Sequence, residues 1–471
     1  MTSVEWEPVI GLEIHVQLKT RTKMFCRCAN GFGGAANTQT CPVCLAFPGA
    51  LPVPNRRAIE ETVKLGLALD CRVAERAVFH RKNYFYPDLP KAYQISQYDE
   101  PLCADGRLTV PMEDGDVVVG IVRAHLEEDA AKSTHVAASG RIHGATATLV
   151  DFNRGGTPLV EIVTAPDLHD AETAKRFLQL LRQTVVELGL SDAELEKGSM
   201  RFDVNVSVRP KGSDELRTRT ELKNMNSFAF AAKGIDREIA RQVRVYESGG
   251  TVEQETLHFD PSHEESPPLR SKEEAQDYRY FPEPDLVPVR PPADVVERLR
   301  AEVGELPGAR IRRLAASLSF YDADVLVTGG LDRLWSGVVA AGAEAKEAAN
   351  VVANQFAATG VEPERVNAGE LAKLVSARAQ IPRASFDAAL EHIGDEGFRA
   401  DPYLEEKVVS DAAELDPVIE RVIAANPGQA AQYRGGKQGL LGFFVGQVMK
   451  ETGGAADPRV VNERVRVKLA E

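Results

Sequence analysis

Residues 9–18, V-I-G-L-E-I-H-V-Q-L, alternate large apolar side chains with polar or small ones. Side chains of a β-strand point to opposite faces with a period of two, so this pattern predicts a strand with Glu13, His15 and Gln17 on one face. An acid and an imidazole two residues apart lie roughly 7 Å apart at the backbone, which suits one metal ion or one polar substrate between them. The alternative is a solvated sheet face with ordinary polar residues.

Three later segments also have strand character and contain acids or run directly into them. They are residues 117–126, 158–163 and 201–209, the last with Asp203 on its polar face. In the second segment, Glu161 stands inside an apolar run, where a charge is costly unless it is paired or bound to a metal. The first segment runs into Glu127, Glu128 and Asp129, and three adjacent acids are unfavourable unless a cation collects them. An exposed acidic turn is the alternative there.

Apolar residues at helical spacing predict the remaining regular elements. The predicted helices cover 57–69, 171–188, a long segment beginning near Phe228, much of the chain between 295 and 390, and, near the end, 416–425, 439–451 and 457–469. Prolines at 288, 291 and 292 mark a domain boundary. We therefore expect an α+β protein with a mostly antiparallel sheet in residues 1–294, an all-helical domain over 295–410 and a small helical tail domain over 411–471.

Composition narrows the class of protein. The chain has 471 residues and a formal net charge of −14, so any contact with nucleic acid has to come from a local patch. Bases outnumber acids locally only near the end of the chain, which predicts a phosphate-contacting tail; a solvated helical face is the alternative. No apolar run is long enough to cross a bilayer and no basic-then-apolar leader begins the chain, so we expect a cytoplasmic protein.

Four of the six cysteines lie in one short stretch. Cys26 and Cys28 form a first pair and Cys41 and Cys44 a second, joined by a loop that can fold both pairs around one ion. The spacing predicts a zinc site, and because all four ligand positions would be filled, a structural one. Four free thiols or a redox pair are the alternatives.

Two polar segments lie between the predicted elements. Residues 81–97 contain three tyrosines and two lysines and are interrupted by Pro87 and Pro90, a composition that can hold an adenine, a phosphate or an RNA backbone. A tyrosine-lined packing loop is the alternative. Residues 151–157 form a polar, glycine-containing turn whose backbone N–H groups are available to an anion.

The acids of the predicted strands suggest a common chemistry. They are Glu13, Glu128, Glu161 and Asp203, with His15 beside them. One imidazole with two carboxylates suits Mg²⁺ or Mn²⁺, and Mg²⁺ so held usually bridges substrate phosphates, which indicates ATP-dependent phosphoryl transfer. The chain has no Walker A sequence and no kinase signature set, so the sheet face and flanking loops would hold the nucleotide.

Several long motifs resemble one family. The motifs are V-I-G-L-E-I-H-V-Q-L-K-T, R-K-N-Y-F-Y-P-D-L-P-K-A-Y-Q-I-S-Q, H-L-E-E-D-A-A-K-S-T, D-F-N-R-G-G-T-P-L-V-E-I-V, E-L-K-N-M-N-S-F and D-Y-R-Y-F-P-E-P-D-L. They resemble the B subunits of the aspartyl/glutamyl-tRNA amidotransferases, the GatB/GatE family. Y-R-G-G-K and F-F-V-G-Q-V-M-K resemble that family's YqeY-like C-terminal domain, so the resemblance runs from end to end.

The resemblance implies a fold, an activity and a set of partners. It implies a catalytic cradle of the glutamine synthetase/guanido kinase type in residues 1–294 and a tRNA-binding tail. ATP would phosphorylate the side-chain carboxylate of Glu or Asp carried by tRNA(Gln) or tRNA(Asn), and ammonia would then displace phosphate. An amidase A subunit would supply the ammonia through a channel and a small C subunit would brace the pair; the aminoacyl-tRNA synthetase is a further candidate partner.

The resemblance also assigns site residues. It implies Mg²⁺ ligands at His15, Glu161 and the acidic pair, favouring Glu128 over Glu127, with Glu13 close by. Cys26, Cys28, Cys41 and Cys44 match the zinc-binding branch of the family, and other members lack these cysteines, so the chemistry does not require zinc. Lys82, Lys91 and Arg154 are our candidates for phosphate contacts.

Two other functions fit the residues. One is a zinc-containing tRNA-binding adaptor whose acids are only structural, and the other is a metal-dependent phosphoester hydrolase. Cys71 and Cys103 lie in no nucleophile motif and no Gly-Ser-Ser amidase stretch is present, so an amidotransferase built on this chain has to obtain its ammonia elsewhere.

Overall fold

The computed structural model describes residues 4–137, 144–223, 225–258, 268–271, 277–405 and 408–470. The chain forms two compact units, Met1–Ala309 and Arg310–Glu471. The expected domain boundaries at 294 and 410 stay predictions. Asn224, part of one of the recognised motifs, lies outside the described residues.

The first unit is built on strands. They are β1 (Trp6–Gln17), β2 (Arg72–Val73), β3 (His80–Asn83), β4 (Tyr93–Ser96), β5 (Cys103–Met112), β6 (Gly115–Glu128), β7 (Lys132–His135), β8 (Thr148–Asp151), β9 (Pro158–Thr164), β10 (Met200–Pro210), β11 (Thr220–Lys223), β12 (Glu255–His258), β13 (Pro268–Ser271) and β14 (Phe281–Pro282). Each of the four predicted strand segments lies within one of these strands or overlaps it.

Among the described residues, one large sheet has the strand order β13-β12-β11-β10-β1-β9-β6-β5-β2. Its neighbouring strands are antiparallel except for β11 and β12, which run parallel. The mostly antiparallel sheet of an α+β fold is therefore confirmed. The first strand of the chain lies near the centre of the sheet, between β9 and β10, which are formed much later in the sequence.

The alternation along β1 separates a core face from a polar face. Ile10, Leu12 and Ile14 are buried, whereas Glu13 and His15 on the opposite face are only partly covered. Helices α1 (Arg56–Ala68), α2 (Ala171–Glu187) and α3 (Phe228–Glu247) contact strands of this sheet and contribute further to the core. The apolar burial leaves the polar face available for a site.

Side-chain caps explain where these three helices begin. Asn55, Asp170 and Ser227 each accept hydrogen bonds from backbone N–H groups of the first turn that follows. Such caps satisfy N–H groups that have no partner within the helix. The helix α4 (Ala293–Val303) packs on α1 within the first unit.

The aromatic segment 81–97 differs from the expected loop at both of its ends. Strand β3 covers its start and β4 lies near its end, and with β14 they form a small sheet of order β14-β3-β4. Arg81 holds this sheet together through two bonds to the buried carboxylate of Glu283, at 2.7 and 2.8 Å. This pairing joins segments about 200 residues apart, which a local pattern does not reveal.

The rest of the described chain is helical. The helices are α5 (Pro307–Ala315), α6 (Phe320–Thr328), α7 (Asp332–Ala340), α8 (Ala345–Asn350), α9 (Ala368–Ala377), α10 (Arg383–His392), α11 (Ala412–Ala425), α12 (Pro427–Arg434), α13 (Leu441–Glu451) and α14 (Pro458–Ala470). A π-helical turn, Val351–Phe356, and short 3-10 segments connect some of them. The predicted helical character of this region is confirmed.

The tail has a hydrophobic core of its own. Its fully buried members include Ile419, Phe444, Val448, Val461 and Val465. Helix α11 begins four residues earlier than predicted, after Asp411, whose side chain accepts from Ala413 N. Across the described residues, no helix combines the length and the apolar character that a bilayer crossing requires.

Candidate active site

Three neighbouring strands bring polar side chains into one row on the polar face of the large sheet. In the strand register, His15 of β1 stands beside Glu161 of β9, and Glu161 stands beside His125 of β6. His15 Nε2 lies 3.5 Å from Glu161 Oε2, and His125 Nε2 lies 3.6 Å from the same oxygen. Glu161 therefore lies between two imidazoles and is itself buried.

Glu127 joins this row, and Glu128 does not. Glu127 follows His125 by two positions and so shares its face; its Oε1 lies 3.8 Å from His15 Nε2. Glu128 points the other way: its Oε1 lies 2.5 Å from Lys91 Nζ and accepts a hydrogen bond from Ile95 N at 3.0 Å. Because side chains alternate along β6, Glu127 lies in the row and Glu128 lies on the opposite face; the preference for Glu128 as a metal ligand stays a prediction.

Two more charged groups border the row. Glu13 Oε1 lies 3.8 Å from His15 Nε2 on the open side of the site, where the Glu13 side chain is about a third exposed (35%). Arg123 Nη2 lies 3.4 Å from Glu161 Oε1, and Arg123 Nε donates toward His125 Nδ1 at 3.3 Å. Glu161 thus contacts two imidazoles and one guanidinium group.

The acids repel one another because they are buried together. Burial and the neighbouring charge of Glu161 raise the pKa of Glu127 to about 7, and the same two causes raise the pKa of Glu13. Burial also opposes ionisation of Glu161, but His125, His15 and Arg123 outweigh it and hold its pKa well below the usual range. A buried set with this surplus of carboxylates is suited to a divalent cation.

The two imidazoles respond differently to burial. Burial lowers the pKa of His125 to about 4, so this ring is neutral near pH 7. Burial also acts to lower the pKa of His15, but the hydrogen bond with Glu161 and the charge of Glu127 outweigh it and raise that pKa. A metal ion binds the neutral form of an imidazole. The position of His15 beside two carboxylates would allow a bound cation to displace its proton.

Asp129, two residues beyond Glu127, is held in place by cations. Arg201 Nη2 donates to its carboxylate at 3.0 Å, and Gln17 Nε2 donates at 2.7 Å. Arg154 Nε lies 3.8 Å away but donates mainly to the carbonyl oxygens of Ala130 and Ala131. The donors of the predicted phosphate ligand Arg154 are therefore directed at the backbone next to the acidic row.

The predicted phosphate ligands Lys82 and Lys91 lie in different surroundings. Lys82 Nζ lies 4.8 Å from the ring centre of Tyr278 and 6.0 Å from that of Tyr84. Burial acts to lower the pKa of Lys82, but Glu127 and other negative neighbours outweigh it and raise that pKa. Lys82 thus remains a cation near the acidic row, whereas Lys91 is paired with Glu128.

The ligand atoms fit a metal ion. One oxygen or nitrogen from each of Glu13, His15 and Glu161 lies within 4.8 Å of the other two, and the same holds for His125, Glu127 and Glu161. Carboxylate oxygens with an imidazole are the donor set expected for Mg²⁺ or Mn²⁺. The donor chemistry and the buried surplus of negative charge therefore agree with the ion that the family resemblance implies.

The four predicted cysteine ligands also come together. One sulfur from each of Cys26, Cys28, Cys41 and Cys44 lies within 4.8 Å of the others. Cys44 Sγ accepts a hydrogen bond from Cys41 N at 3.2 Å and lies 3.9 Å from Cys41 Sγ. None of the four forms a disulfide. Four convergent sulfurs are the donor set of a closed, tetrahedral zinc site.

Sequence reasoning identified part of this site. His15, Glu13 and Glu161 lie together as the strand patterns predicted, and the four cysteines do as well. His125 and Arg123 were missed, and so was the position of Glu127 in this row. The signal that could have found them is the alternation of β6: extending the predicted strand from Leu126 to Glu128 puts Arg123, His125 and Glu127 on one face.

Comparisons with known proteins agree over the full length. The sequence profile of the GatB/GatE catalytic domain matches residues 8–297, and that of a GatB domain matches residues 333–469. The aspartyl/glutamyl-tRNA(Asn/Gln) amidotransferase B subunit of Anaeromyxobacter dehalogenans is 48% identical, covering 99% of each chain. The proteins of the same name from Syntrophotalea carbinolica and Geobacter sulfurreducens are each 46% identical, covering 99% or more of both chains. The chain carrying this row of acids and imidazoles therefore belongs to the GatB/GatE family of amidotransferase B subunits.

Proposed function

We propose that this chain is the subunit of a tRNA-dependent amidotransferase that activates and amidates Glu or Asp carried by tRNA(Gln) or tRNA(Asn). The observation that supports this most directly is the buried row His15–Glu161–His125 with Glu127, at the centre of a domain that matches the catalytic domain of the family. A carboxylate is a poor acyl donor because oxide would have to leave. Transfer of the terminal phosphoryl group of ATP to the carboxylate gives an acyl phosphate, and attack by ammonia on its carbonyl carbon then releases phosphate.

His15, Glu161 and Glu127 are our proposed magnesium ligands, with Glu13 at the open side of the site. Glu127 takes the place of Glu128, because Glu127 lies 3.8 Å from His15 and Glu128 is paired with Lys91. When bound, Mg²⁺ would neutralise phosphate charge and orient the phosphates of ATP. His125 and Arg123 would orient the carboxylate of Glu161 from its other side.

Lys82 is the candidate phosphate contact that the geometry supports best. It remains protonated beside the acids, and the rings of Tyr84 and Tyr278 cover it. Tyr280, half-buried in the same wall, stacks on Tyr98 with ring centres 4.3 Å apart. Such a wall would limit the access of water, which an acyl phosphate requires because it hydrolyses.

The partners follow from what the chain lacks and from its family. The sequence has no convincing glutaminase motif, so we infer an amidase A subunit as the source of ammonia and a small C subunit as the third component. The Cys26–Cys44 set would hold structural zinc. We expect the complex to act in the cytoplasm, with the aminoacyl-tRNA synthetase as a further candidate partner.

Reconstitution tests the function. The chain, its A and C partners, ATP, Mg²⁺ and glutamine are mixed with Glu-tRNA(Gln) or Asp-tRNA(Asn), and we expect Gln-tRNA(Gln) or Asn-tRNA(Asn) to form. Ammonium should replace glutamine, because the proposed amidation step uses free ammonia. An adaptor would bind tRNA without any ATP-dependent step in ammonium, and a phosphoester hydrolase would release phosphate when no aminoacyl-tRNA is present. Either result would refute the proposal.

The tail is our candidate for electrostatic contact with tRNA. Replacing the exposed bases Lys437, Lys450 and Arg459 together by glutamine should weaken tRNA binding and lower the slope of log affinity against log salt by about 2–3. Phosphoryl transfer at saturating tRNA should change little. Replacing the exposed bases Lys346 and Arg383 of the helical region is the control. An unchanged salt slope in the tail variant would exclude this contact.

A further inference from the structure

Lys23 is a fully buried lysine between β1 and the first cysteine pair. Its relative exposure is 0%, and it is among the largest of the fully buried side chains of the described residues. Its Nζ donates to Phe152 O at 3.0 Å and lies 3.8 Å from Cys44 Sγ. Burying an ammonium group is expensive unless an opposite charge compensates it.

The charge that compensates Lys23 is the sulfur of Cys44. No carboxylate within the described residues forms an ion pair with Lys23, although two acids, Glu128 and Asp285, line the same cavity of about 220 Å³. Glu128 pairs with Lys91, and Asp285 lies 3.4 Å from Arg81. Carbonyl oxygens such as that of Phe152 carry only a partial charge. Four thiolates around one Zn²⁺ leave a net charge of −2, so a zinc-loaded cysteine site supplies the anion that a buried ammonium needs.

The backbone at Lys23 connects the cysteines to the catalytic domain. Lys23 N donates to Cys28 O at 3.0 Å, and the next residue, Met24, donates through its N–H to Gly156 O at 2.7 Å. Phe152 and Gly156 belong to the turn that also carries Arg154, and Gly156 N donates to Asp129 O at 2.9 Å. Lys23 therefore stands between the cysteine sulfurs and the backbone that supports the end of the acidic row.

We propose that Lys23 is a positioning residue for the cysteine-bound metal. Its ammonium pairs with the Cys44 thiolate and donates to Phe152 O, so that metal loading fixes the 152–157 turn beside Asp129. The inference rests on the zinc site of the proposed function. Lys23, which is not itself a metal ligand, would therefore couple the structural metal site to the catalytic face of the sheet.

Zinc affinity tests this role. In competition with a chromophoric chelator, the full chain with Lys23→Met should bind zinc about 10–100-fold more weakly than the wild type, the range found when outer groups of metal sites are removed. The matched control is Arg27→Met, which removes a positive charge between Cys26 and Cys28 at an exposed position and should change the affinity less than about 3-fold. Equal zinc affinity in Lys23→Met and wild type would overturn the proposal.

Two further measurements separate a charge effect from a packing defect. Lys23→Arg keeps the charge and should retain most of the zinc affinity, whereas Lys23→Gln should bind zinc as weakly as Lys23→Met. Equal zinc affinity in Lys23→Arg and Lys23→Gln would refute the charge pairing between Lys23 and Cys44. In the cobalt-loaded protein, the thiolate-to-cobalt absorption band should shift in Lys23→Met and stay in place in Arg27→Met. If the wild type itself binds no zinc, the zinc site of the proposed function fails. If it binds zinc and Lys23 makes no difference, only the role of Lys23 fails.

Discussion

Glu161→Gln is expected to abolish ATP-dependent phosphorylation of Glu-tRNA(Gln), with a loss on the order of 10³-fold. The substitution keeps the shape of the side chain and removes a carboxylate that lies within 3.6 Å of both imidazoles. Arg123 then loses its partner as well, so the charge balance of the whole row changes. Because the sheet face and not the tail carries this residue, tRNA affinity should stay near the wild-type value.

The control for this experiment is Glu172→Gln on helix α2. Glu172 is exposed and pairs with Lys175, so its replacement removes an acid of the same type from a surface position. The measurement is acyl-phosphate formation in the reconstituted complex, with thermal unfolding recorded for both variants to exclude loss of the fold. Normal amidation by Glu161→Gln would contradict the site assignment.

The second large effect separates two adjacent acids. Glu127→Gln should raise the Mg²⁺ concentration for half-maximal activity by about 10–100-fold, because it removes a carboxylate that faces His15. Glu128→Gln makes the same chemical change one residue later, on the opposite face of β6, and breaks the ion pair with Lys91. Whatever its effect on turnover, it should leave the Mg²⁺ requirement within about 3-fold of wild type.

The two variants serve as controls for each other, because each loses one negative charge at the end of the same strand. Activity is measured over a series of Mg²⁺ concentrations at saturating ATP and tRNA. If Glu128→Gln shifts the Mg²⁺ requirement and Glu127→Gln does not, the ligand set that the resemblance implied is right and the one proposed from the side-chain geometry is wrong.

The sequence was sufficient for residues whose face depends on local alternation. Glu13 and His15 were assigned to one face because the period of two is unbroken from Ile10 to Leu18, and Glu161 stood out as an acid in an apolar strand. The order of strands in the sheet depends on pairing between distant segments. No local pattern could show that β9 would place Glu161 beside both His15 and His125.

Glu128 shows how the end of a predicted strand decides which acids share a face. The strand predicted from the sequence ends at Leu126, so the pattern assigns neither Glu127 nor Glu128 to a face of the sheet. In the structure β6 continues to Glu128, so the two acids point in opposite directions. Lys23 was missed for a different reason: its burial results from packing against the 152–157 turn, which lies about 130 residues away.

The central position of β1 has a consequence for synthesis on the ribosome. His15 pairs with Arg201 in the adjacent strand, so the nascent chain has to be extended by more than 180 residues before β1 gains that neighbour. At ordinary elongation rates this delay lasts roughly 10–40 s, and until β9 has been made both edges of the apolar strand β1 are bare. Prematurely terminated chains that end before β9 would keep these edges, so they should aggregate or occupy chaperones, whereas the completed first unit covers both edges of β1.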